Sequence, residues 1–406
     1  MLNPTTLAIP LFFLLIGIEL LINQFQKAKL YRLHDAITDI NIGSSQQIVA
    51  ILMRLLGIGL YEIIYHNLSF QWIDNTQFSW VNFIILFIAW DFCYYWAHRM
   101  SHEINLFWSG HVVHHQSEDY NLAVALRQSW FQAIWTAPFY LPLALVGFRP
   151  EDIVYVSGLN LIYQFWIHTE VIDKMGFLEW FMNTPSHHRV HHGRNPKYID
   201  KNHAGVFIIW DRMFGTFQAE EERPVYGITT PINSWNPIWA NFSHFQTIGE
   251  QLKEARTLKD YWMVLFGKPG WSAKLQAYIP APQVSREGYH KFDTPVVPGI
   301  NWYALFQYVL ATIGTAFFMF QINDLDIATK IISCGLVIGF VWLCGGLFES
   351  KRWAFFAELV RLPLSAGLVA YLIQGHALFT IFVYTIPVLI AISWIWLWQM
   401  RRYFTA

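Results

Sequence analysis

The chain has few charged residues and few cysteines for its length. Over 406 residues, Asp, Glu, Lys and Arg together make up only 14%, and the formal net charge at pH 7 is −1. A charge this small excludes the broad basic surface that binds nucleic acid. The three cysteines, Cys93, Cys334 and Cys344, lie far apart in apolar stretches with no CxxC pair. Neither a disulfide framework nor a thiolate metal site is therefore predicted.

Apolar residues take the place of charge, with 54% hydrophobic and 18% aromatic residues. Two short apolar runs, 131–147 and 152–168, are broken by prolines and a turn, which predicts a helical hairpin that only partly enters the membrane. The composition predicts an all-α integral membrane protein that folds as a multi-span helical bundle. Runs of about 20 apolar residues, the length that crosses a bilayer, lie at 7–23, 46–65, 80–97, 302–321, 331–347, 354–373 and 377–398.

Basic residues flank these runs unevenly. Lys and Arg follow alternate runs, as at Lys27, Arg99, Lys351 and Arg402, and the positive-inside rule places those ends in the cytoplasm. The polar block from about 170 to 300 is then expected to be cytosolic. We predict four stretches: N-terminal transmembrane spans at 1–79, a histidine-box domain at 80–220, a cytosolic segment and linker at 221–300, and C-terminal transmembrane spans at 301–406.

Histidines cluster where the predicted spans meet the cytosol. The stretch "HRMSHEINLFWSGHVVHH" at 98–115 contains an HxxxH and an HxxHH motif, and "SHHRVHH" contains a second HxxHH. Residues three or four apart on a helix share one face, so each motif would present its rings together. The histidines of this pattern are His98, His102, His111, His114, His115, His188, His191 and His192, with His168 at the end of an apolar run and His187 beside the last box.

A cluster of this size predicts a site for two metal ions. Imidazole is a common neutral ligand of iron, zinc and copper, and one ion rarely takes more than a few protein nitrogens. Carboxylate di-iron bundles use glutamates together with only two histidines, so a set made almost entirely of nitrogen ligands marks a different class. Isolated histidines such as His66, His244, His290 and His376 are expected to be structural or solvated.

Two other functional classes fit the pattern less well. A metal transporter would line its spans with acidic residues and histidines, but Glu19, Glu62 and Asp91 are too few to line a path. A zinc hydrolase would need HExxH, and "HEINL" lacks the second histidine. The transporter stays as the alternative from another class.

The three histidine boxes between hydrophobic hairpins resemble the fatty acid hydroxylase and sterol desaturase superfamily of membrane di-iron enzymes. The resemblance covers about 83 to 218 and ends in "IIWDRMFGTF", the usual closing motif of the superfamily. More narrowly, "YYWAHRMSHEINLFWSGHVVHHQSEDYNLAVALRQS" and "NTPSHHRVHHGRNPKYIDKN" resemble its alkylglycerol monooxygenase branch. The fold that the resemblance implies is a membrane bundle with a cytosolic histidine-box di-metal domain.

The resemblance also implies roles for individual residues. Glu103 matches an acidic position typical of the branch, which implies that it orients a ligand histidine or moves a proton. No residue is implied for binding an organic cofactor. The implied metal ligands are His98, His102, His111, His114, His115, His168, His188, His191 and His192, with His187 as a possible tenth.

The reaction implied by the resemblance uses two iron ions and O₂ to hydroxylate the carbon next to the ether oxygen of an alkylglycerol. The product then collapses to a fatty aldehyde and glycerol. Tetrahydrobiopterin is the electron donor in this branch, and a redox protein is the alternative. The implied location is the endoplasmic reticulum in a eukaryote or the plasma membrane in a bacterium, with the boxes facing the cytoplasm. The nearest alternative is hydroxylation or desaturation of a sterol, fatty acid or carotenoid.

Overall fold

The computed structural model describes residues 4–75 and 79–404, without the side chains of residues 5, 6, 51–57 and 323. The regular secondary structure of these residues is helical apart from one short antiparallel ribbon, β1 (Trp271–Ser272) and β2 (Ala277–Tyr278). The α-helices are α1 (Pro4–Gln26), α2 (Leu33–Leu68), α3 (Trp80–Glu103), α4 (Asn105–His115), α5 (Gln132–Thr136), α6 (Leu141–Val146), α7 (Pro150–Trp166), α8 (Pro185–His191), α9 (Ile209–Phe214), α10 (Pro237–Glu254), α11 (Leu258–Phe266), α12 (Pro298–Gln321), α13 (Ile327–Phe348), α14 (Arg352–Leu372) and α15 (Phe379–Gln399). Single 3₁₀ turns occur at Val124–Leu126, Ala137–Tyr140, Gly176–Trp180, Ile322–Asp324 and Arg401–Tyr403.

Among the described residues, 6 helices are long and apolar enough to cross a membrane. They are Leu7–Gln26 within α1, then α3, α12, α13, α14 and α15, and each coincides with a predicted span. The prediction of an all-α, multi-pass membrane protein is thereby confirmed. The predicted span at 46–65 falls within α2, but it includes 51–57, whose side chains lie outside the described residues. The predicted hairpin folds as α5, a 3₁₀ turn and α6, followed by α7.

The chain divides into two compact units. The first, which we call the histidine unit, comprises Met1–Gln46, Ala50–Ile232 and Asn241–Lys291. The second, the C-terminal unit, comprises Gln47–Val49, Asn233–Ala240 and Phe292–Ala406.

The histidine unit is built around α3. The hydroxyl of Ser79 caps this helix by accepting a hydrogen bond from the backbone N–H of Asn82. One face of α3 packs in an aromatic core, where Trp90 stacks on Tyr140 with ring centroids 4.0 Å apart. Ile104 has extended backbone angles and separates α3 from α4. The two helices that carry the first two histidine boxes therefore meet at a corner.

Buried carboxylates fasten α1 and α3 to the loops of this unit. Glu19 on α1 accepts hydrogen bonds from Tyr31, from Thr169 and from the backbone N–H of Leu122. Asp91 on α3 accepts hydrogen bonds from four donors, which are the backbone N–H groups of Val206 and Phe207, Trp210 Nε1 and Asn160 Nδ2. Both carboxylates are thus used by the fold and not aligned along a transport path.

The C-terminal unit contains α12, α13, α14 and α15. Its buried ion pair is satisfied by neighbouring polar groups: Glu358 on α14 accepts hydrogen bonds from Tyr303 at 2.8 Å and from Arg361 at 2.7 Å. Arg361 also donates to Gln307, which donates in turn to Ser393. A closed network of this kind satisfies charges that would otherwise be costly inside apolar helices.

Candidate metal centre

Five histidines from three helices form the first group of rings. His98 and His102 come from α3, His111 and His115 from α4, and His191 from α8. All five are buried, and one nitrogen from each lies within 4.8 Å of the others. We call this set the five-histidine group. In every helix that gives two rings, the two residues are four apart, because that spacing places them on one helical face.

The five rings have the layout of a square pyramid. His98, His111, His115 and His191 form a ring in which neighbouring centroids are 4.4–4.9 Å apart, with a diagonal of 6.3 Å between His111 and His191. His102 lies 4.8–5.3 Å from all four and occupies the apex. Such a layout surrounds a central point on all sides but one.

Four further histidines form the second group, which we call the four-histidine group. His114 comes from α4, His168 follows α7, and His188 and His192 come from α8 and its C-terminus. All four are buried, with ligand atoms within 4.8 Å of one another. The two groups adjoin, since the rings of His115 and His192 stack with centroids 4.4 Å apart. The structure thus brings together all nine histidines predicted as metal ligands.

Backbone carbonyls fix the orientation of several of these rings. Nδ1 of His98 donates to the carbonyl of His203 at 2.7 Å, and Nδ1 of His168 donates to that of Gln164 at 2.7 Å. The rings of His114 and His191 make the same kind of bond, to the carbonyls of Arg127 and Lys201. A carbonyl can only accept, so Nδ1 carries the proton and Nε2 keeps a free lone pair. This arrangement is typical of histidines that bind a metal.

The free nitrogens of the cluster point to an ion as their missing partner. Among the described residues, Nε2 of His102, His191 and His192 is buried without a hydrogen-bond partner. Elsewhere two acceptor nitrogens face each other, as where Nε2 of His114 lies 3.2 Å from Nε2 of His168. Buried polar atoms without partners are costly and rare. Metal cations would satisfy all of them at once, so the donor set fits two ions with nitrogen ligands.

Burial keeps these rings neutral. It lowers the pKa of His114 to about 4, and it lowers the pKa values of His111, His115, His188 and His192 well below the usual range, with neighbouring rings adding to the effect. A histidine must be neutral to bind a metal. The rings outside the spans are therefore ready to bind at neutral pH without losing protons.

Two predicted residues lie outside these groups. The structure places His187 in neither group, and its ring packs against Phe217 with centroids 5.3 Å apart. Glu103 forms ion pairs with Arg99 at 3.1 Å and with Lys268 at 3.6 Å. The carboxylate beside the apical ring is instead that of Asp200, whose Oδ1 lies 3.9 Å from His102 Nδ1.

Sequence reasoning missed His203 and the residue that supports it. His203 is fully buried, its ring lies 5.0 Å from that of His102, and neither of its ring nitrogens has a hydrogen-bond partner among the described residues. Its backbone N–H donates to Asp211 of the closing motif at 2.8 Å, and its carbonyl receives the bond from His98. Asp211 therefore supports the backbone that orients the His98 ring of the five-histidine group. No other histidine lies three or four residues from His203, so the spacing of histidines in the sequence did not indicate its place in the cluster.

Comparison with known proteins finds one matching family and several similar proteins. The fatty acid hydroxylase family matches residues 83–216, which include all nine clustered histidines. The alkylglycerol monooxygenase of Xenopus tropicalis is 36% identical over 367 residues, which cover 89% of this chain and 80% of that protein. The alkylglycerol monooxygenase of Homo sapiens is 45% identical over 269 residues, covering 65% of this chain and 59% of the human protein.

A more distant similarity reaches a bacterial enzyme. An ornithine lipid hydroxylase of Rhizobium tropici is 27% identical over 154 residues, which cover 38% of this chain and 46% of that protein. No solved structure matches the chain.

Proposed function

The chain belongs to the alkylglycerol monooxygenase family, and from this premise we propose that it cleaves the ether bond of 1-O-alkylglycerols or their lyso-phospholipids. Membership makes the chain an oxygen-dependent lipid monooxygenase in a membrane. The observation that carries the proposal is the pair of adjoining histidine groups, in which Nε2 of His102, His191 and His192 has no hydrogen-bond partner among the described residues. We propose the nine histidines of these groups as the ligands of two iron ions.

Bound iron would supply the oxidation of an unactivated C–H bond by O₂. One oxygen atom would insert into a C–H bond of the carbon next to the ether oxygen. The other would leave as water, formed with two electrons and two protons from a donor. The resulting hemiacetal breaks its C–O bond to give a fatty aldehyde and glycerol. A reduced pterin is the proposed donor, and a redox protein is the alternative.

The chain's own contribution is to hold the rings and to exclude water. Carbonyls fix the Nδ1 protons of four rings, so the ring orientations are set before substrate arrives. The ring of Trp108 lies 4.9 Å from that of His102, and the buried Tyr120 lies 5.2 Å from His192. These aromatic rings give the histidine groups apolar neighbours.

We test the proposal by product analysis on the full chain. Protein purified without O₂ and loaded with iron would receive a 1-O-alkylglycerol and a reduced pterin or a reduced redox protein. We expect fatty aldehyde to form only after O₂ is added. Turnover of sterols or free fatty acids, with none of alkylglycerols under any donor, would contradict ether cleavage.

The second candidate is hydroxylation of a lipid chain without cleavage. The similarity to an ornithine lipid hydroxylase favours it. The same assay separates the two, because simple hydroxylation leaves the lipid intact and adds one oxygen atom to its mass.

We also propose that the histidine groups face the cytoplasm, in the endoplasmic reticulum of a eukaryote or the plasma membrane of a bacterium. The support is the excess of Lys and Arg after alternate spans. Accessibility labelling of residues 195–205 and of the C-terminal "RRYFTA" should place both on the cytoplasmic face.

A further inference from the structure

Arg194 is a buried cation that forms no ion pair with an acidic residue among the residues that the structure describes. It follows His192 of the four-histidine group by two residues, and its exposed fraction is 6%. Its Nη2 donates to the carbonyl of Thr229 at 2.9 Å, whereas Nε and Nη1 are buried without a hydrogen-bond partner among the described residues. A buried charge that lacks hydrogen-bond partners is costly in general. The guanidinium therefore has donors to spare for a ligand.

Two other buried arginines of the histidine unit have partners for their guanidinium groups. Arg189, five residues earlier, donates to both carboxylate oxygens of Glu220 at 2.9 and 2.7 Å and to two backbone carbonyls. Arg127 donates to Asp39, to Gln116 and to the carbonyl of Val113. The fold satisfies these guanidinium groups from within the protein, and it does not do so for Arg194.

Aromatic residues connect Arg194 to the four-histidine group. The backbone N–H of Arg194 donates to the carbonyl of Val225 at 2.8 Å, which places Tyr226 beside it. Tyr226 stacks on Tyr120 at 4.7 Å, and the ring of Tyr120 lies 5.2 Å from that of His192. The unused donors of Arg194 thus belong to a segment that lies one aromatic layer from the metal centre.

A segment from the end of the histidine unit covers this place. The guanidinium of Arg194 lies 4.7 Å from the ring centroid of Tyr289, whose hydroxyl donates to Glu118. Arg286 pairs with Glu170 at 2.7 Å, and Lys291 pairs with Asp119 at 2.6 Å. These contacts join the segment to loops that follow His115 and His168, so Arg194 is shielded from water while its two donors stay unused.

We propose that Arg194 forms a head-group site that binds the oxygen atoms of the glycerol or phosphoglycerol end of the lipid. A guanidinium in a dry site makes strong hydrogen bonds to hydroxyl and phosphate oxygens. Binding the head group here would leave the ether carbon next to it near the four-histidine group. The inference rests on the proposed function, since it assumes a lipid with a glycerol head.

Binding without turnover tests this site. Zinc-substituted full-length protein would be titrated with 1-O-hexadecylglycerol and with its 3-phosphate in detergent micelles. We expect Arg194→Gln to weaken binding on the order of tenfold or more, with unchanged metal content. Arg194→Lys should restore part of the affinity because it keeps the charge, and Lys197→Gln, an exposed neighbour, should bind as the unaltered protein does. A larger loss for the phosphate would identify phosphate as the bound group, and a larger loss for the glycerol would identify its hydroxyls.

Equal affinity of Arg194→Gln and the unaltered protein for both lipids would overturn the site. So would a loss of affinity for the electron donor alone, measured in the same titration with the reduced pterin. If the unaltered protein cleaves alkylglycerols but Arg194→Gln keeps its KM for them, the head-group site fails and the proposed function stands. If the unaltered protein binds and cleaves none of them, the proposed function fails.

Discussion

The two units of the chain bury polar groups in different ways. In the C-terminal unit, Glu358 and Arg361 pair with each other at 2.7 Å, and α12 supplies further hydrogen-bond partners to both. In the histidine unit, Nε2 of His102 and two nitrogens of the Arg194 guanidinium are buried without a hydrogen-bond partner among the described residues. Closed networks stabilise a fold, whereas a buried charge or a cluster of buried rings with unused nitrogens indicates a ligand.

The histidine unit also contains closed networks, by which we mean buried charges whose partners come from within the protein. We call its buried polar groups with unused hydrogen-bonding capacity open positions. Asp91 and Glu19 are fully engaged by donors from other elements, and Asp211 holds the backbone at residues 203 and 204. The comparison therefore predicts that substitutions at open positions impair metal or lipid binding, whereas substitutions in closed networks impair stability.

The largest expected effect follows from removing an apical ring. His102→Ala should abolish turnover and reduce the metal content, because His102 contacts all four other rings of its group. Membrane insertion should persist, since the hydrophobicity of α3 is unchanged. His376→Ala, at an exposed position of the C-terminal unit, is the matched control and should retain activity. Equal losses in both variants would mean that the clustered histidines are not special.

A large loss of stability, without loss of the metal, is expected in the C-terminal unit. Glu358→Gln leaves Arg361 buried without its ion-pair partner, which should cost about 3–5 kcal/mol in the free energy of unfolding. Chemical denaturation in detergent measures this change, and elemental analysis of the folded fraction should find unchanged metal. The exposed Asp324→Asn in the same unit serves as control. Loss of metal in Glu358→Gln at unchanged stability would reverse the comparison between the units.

An intermediate effect is expected where a closed network supports an open position. Asp211→Asn replaces one acceptor of the His203 and Ala204 backbone N–H groups by a donor, which should shift the carbonyl that orients His98. Losing such support typically costs 10–100-fold in metal affinity. Competition with a chelator measures the affinity, with the exposed Asp173→Asn as control. Unchanged affinity would show that the His98 ring does not depend on this support.

The smallest effect is expected at Glu103. Its ion pairs with Arg99 and Lys268 place it next to His102 but outside the ring cluster. Glu103→Gln should lower kcat with little change in metal content, because the shape is kept and the charge is lost. A full loss of metal would instead make Glu103 a support of the ligand set.

Helical spacing predicted much of the candidate site. The pairs His98 and His102, His111 and His115, and His188 and His192 each stay in one group, as expected for residues four apart on a helix. The division of each HxxHH motif between two groups was not predictable, because it depends on how α4 and α8 pack against α3 and α7. The runs of about 20 apolar residues likewise predicted the spans by their length alone.

Residues without a pattern were the ones that sequence reasoning missed. His203 and Arg194 are single residues in irregular segments, and only the tertiary structure shows that their polar atoms are buried and unused. The buried pair of Glu358 and Arg361 was also missed, since two charges three apart in an apolar run do not indicate whether they face each other or the lipid. The four-part division of the chain at 79, 220 and 300 stays a prediction.

Metal stoichiometry of the native, active chain tests the account most directly. Protein purified without O₂ and without overexpression in excess zinc would be analysed for metal by mass spectrometry alongside His102→Ala and His168→Ala. We expect about two iron ions per chain, because the nine histidines form two groups, and about one in each variant, because each substitution removes a ring from a different group. One ion or none in the active, unaltered chain would contradict a two-ion centre.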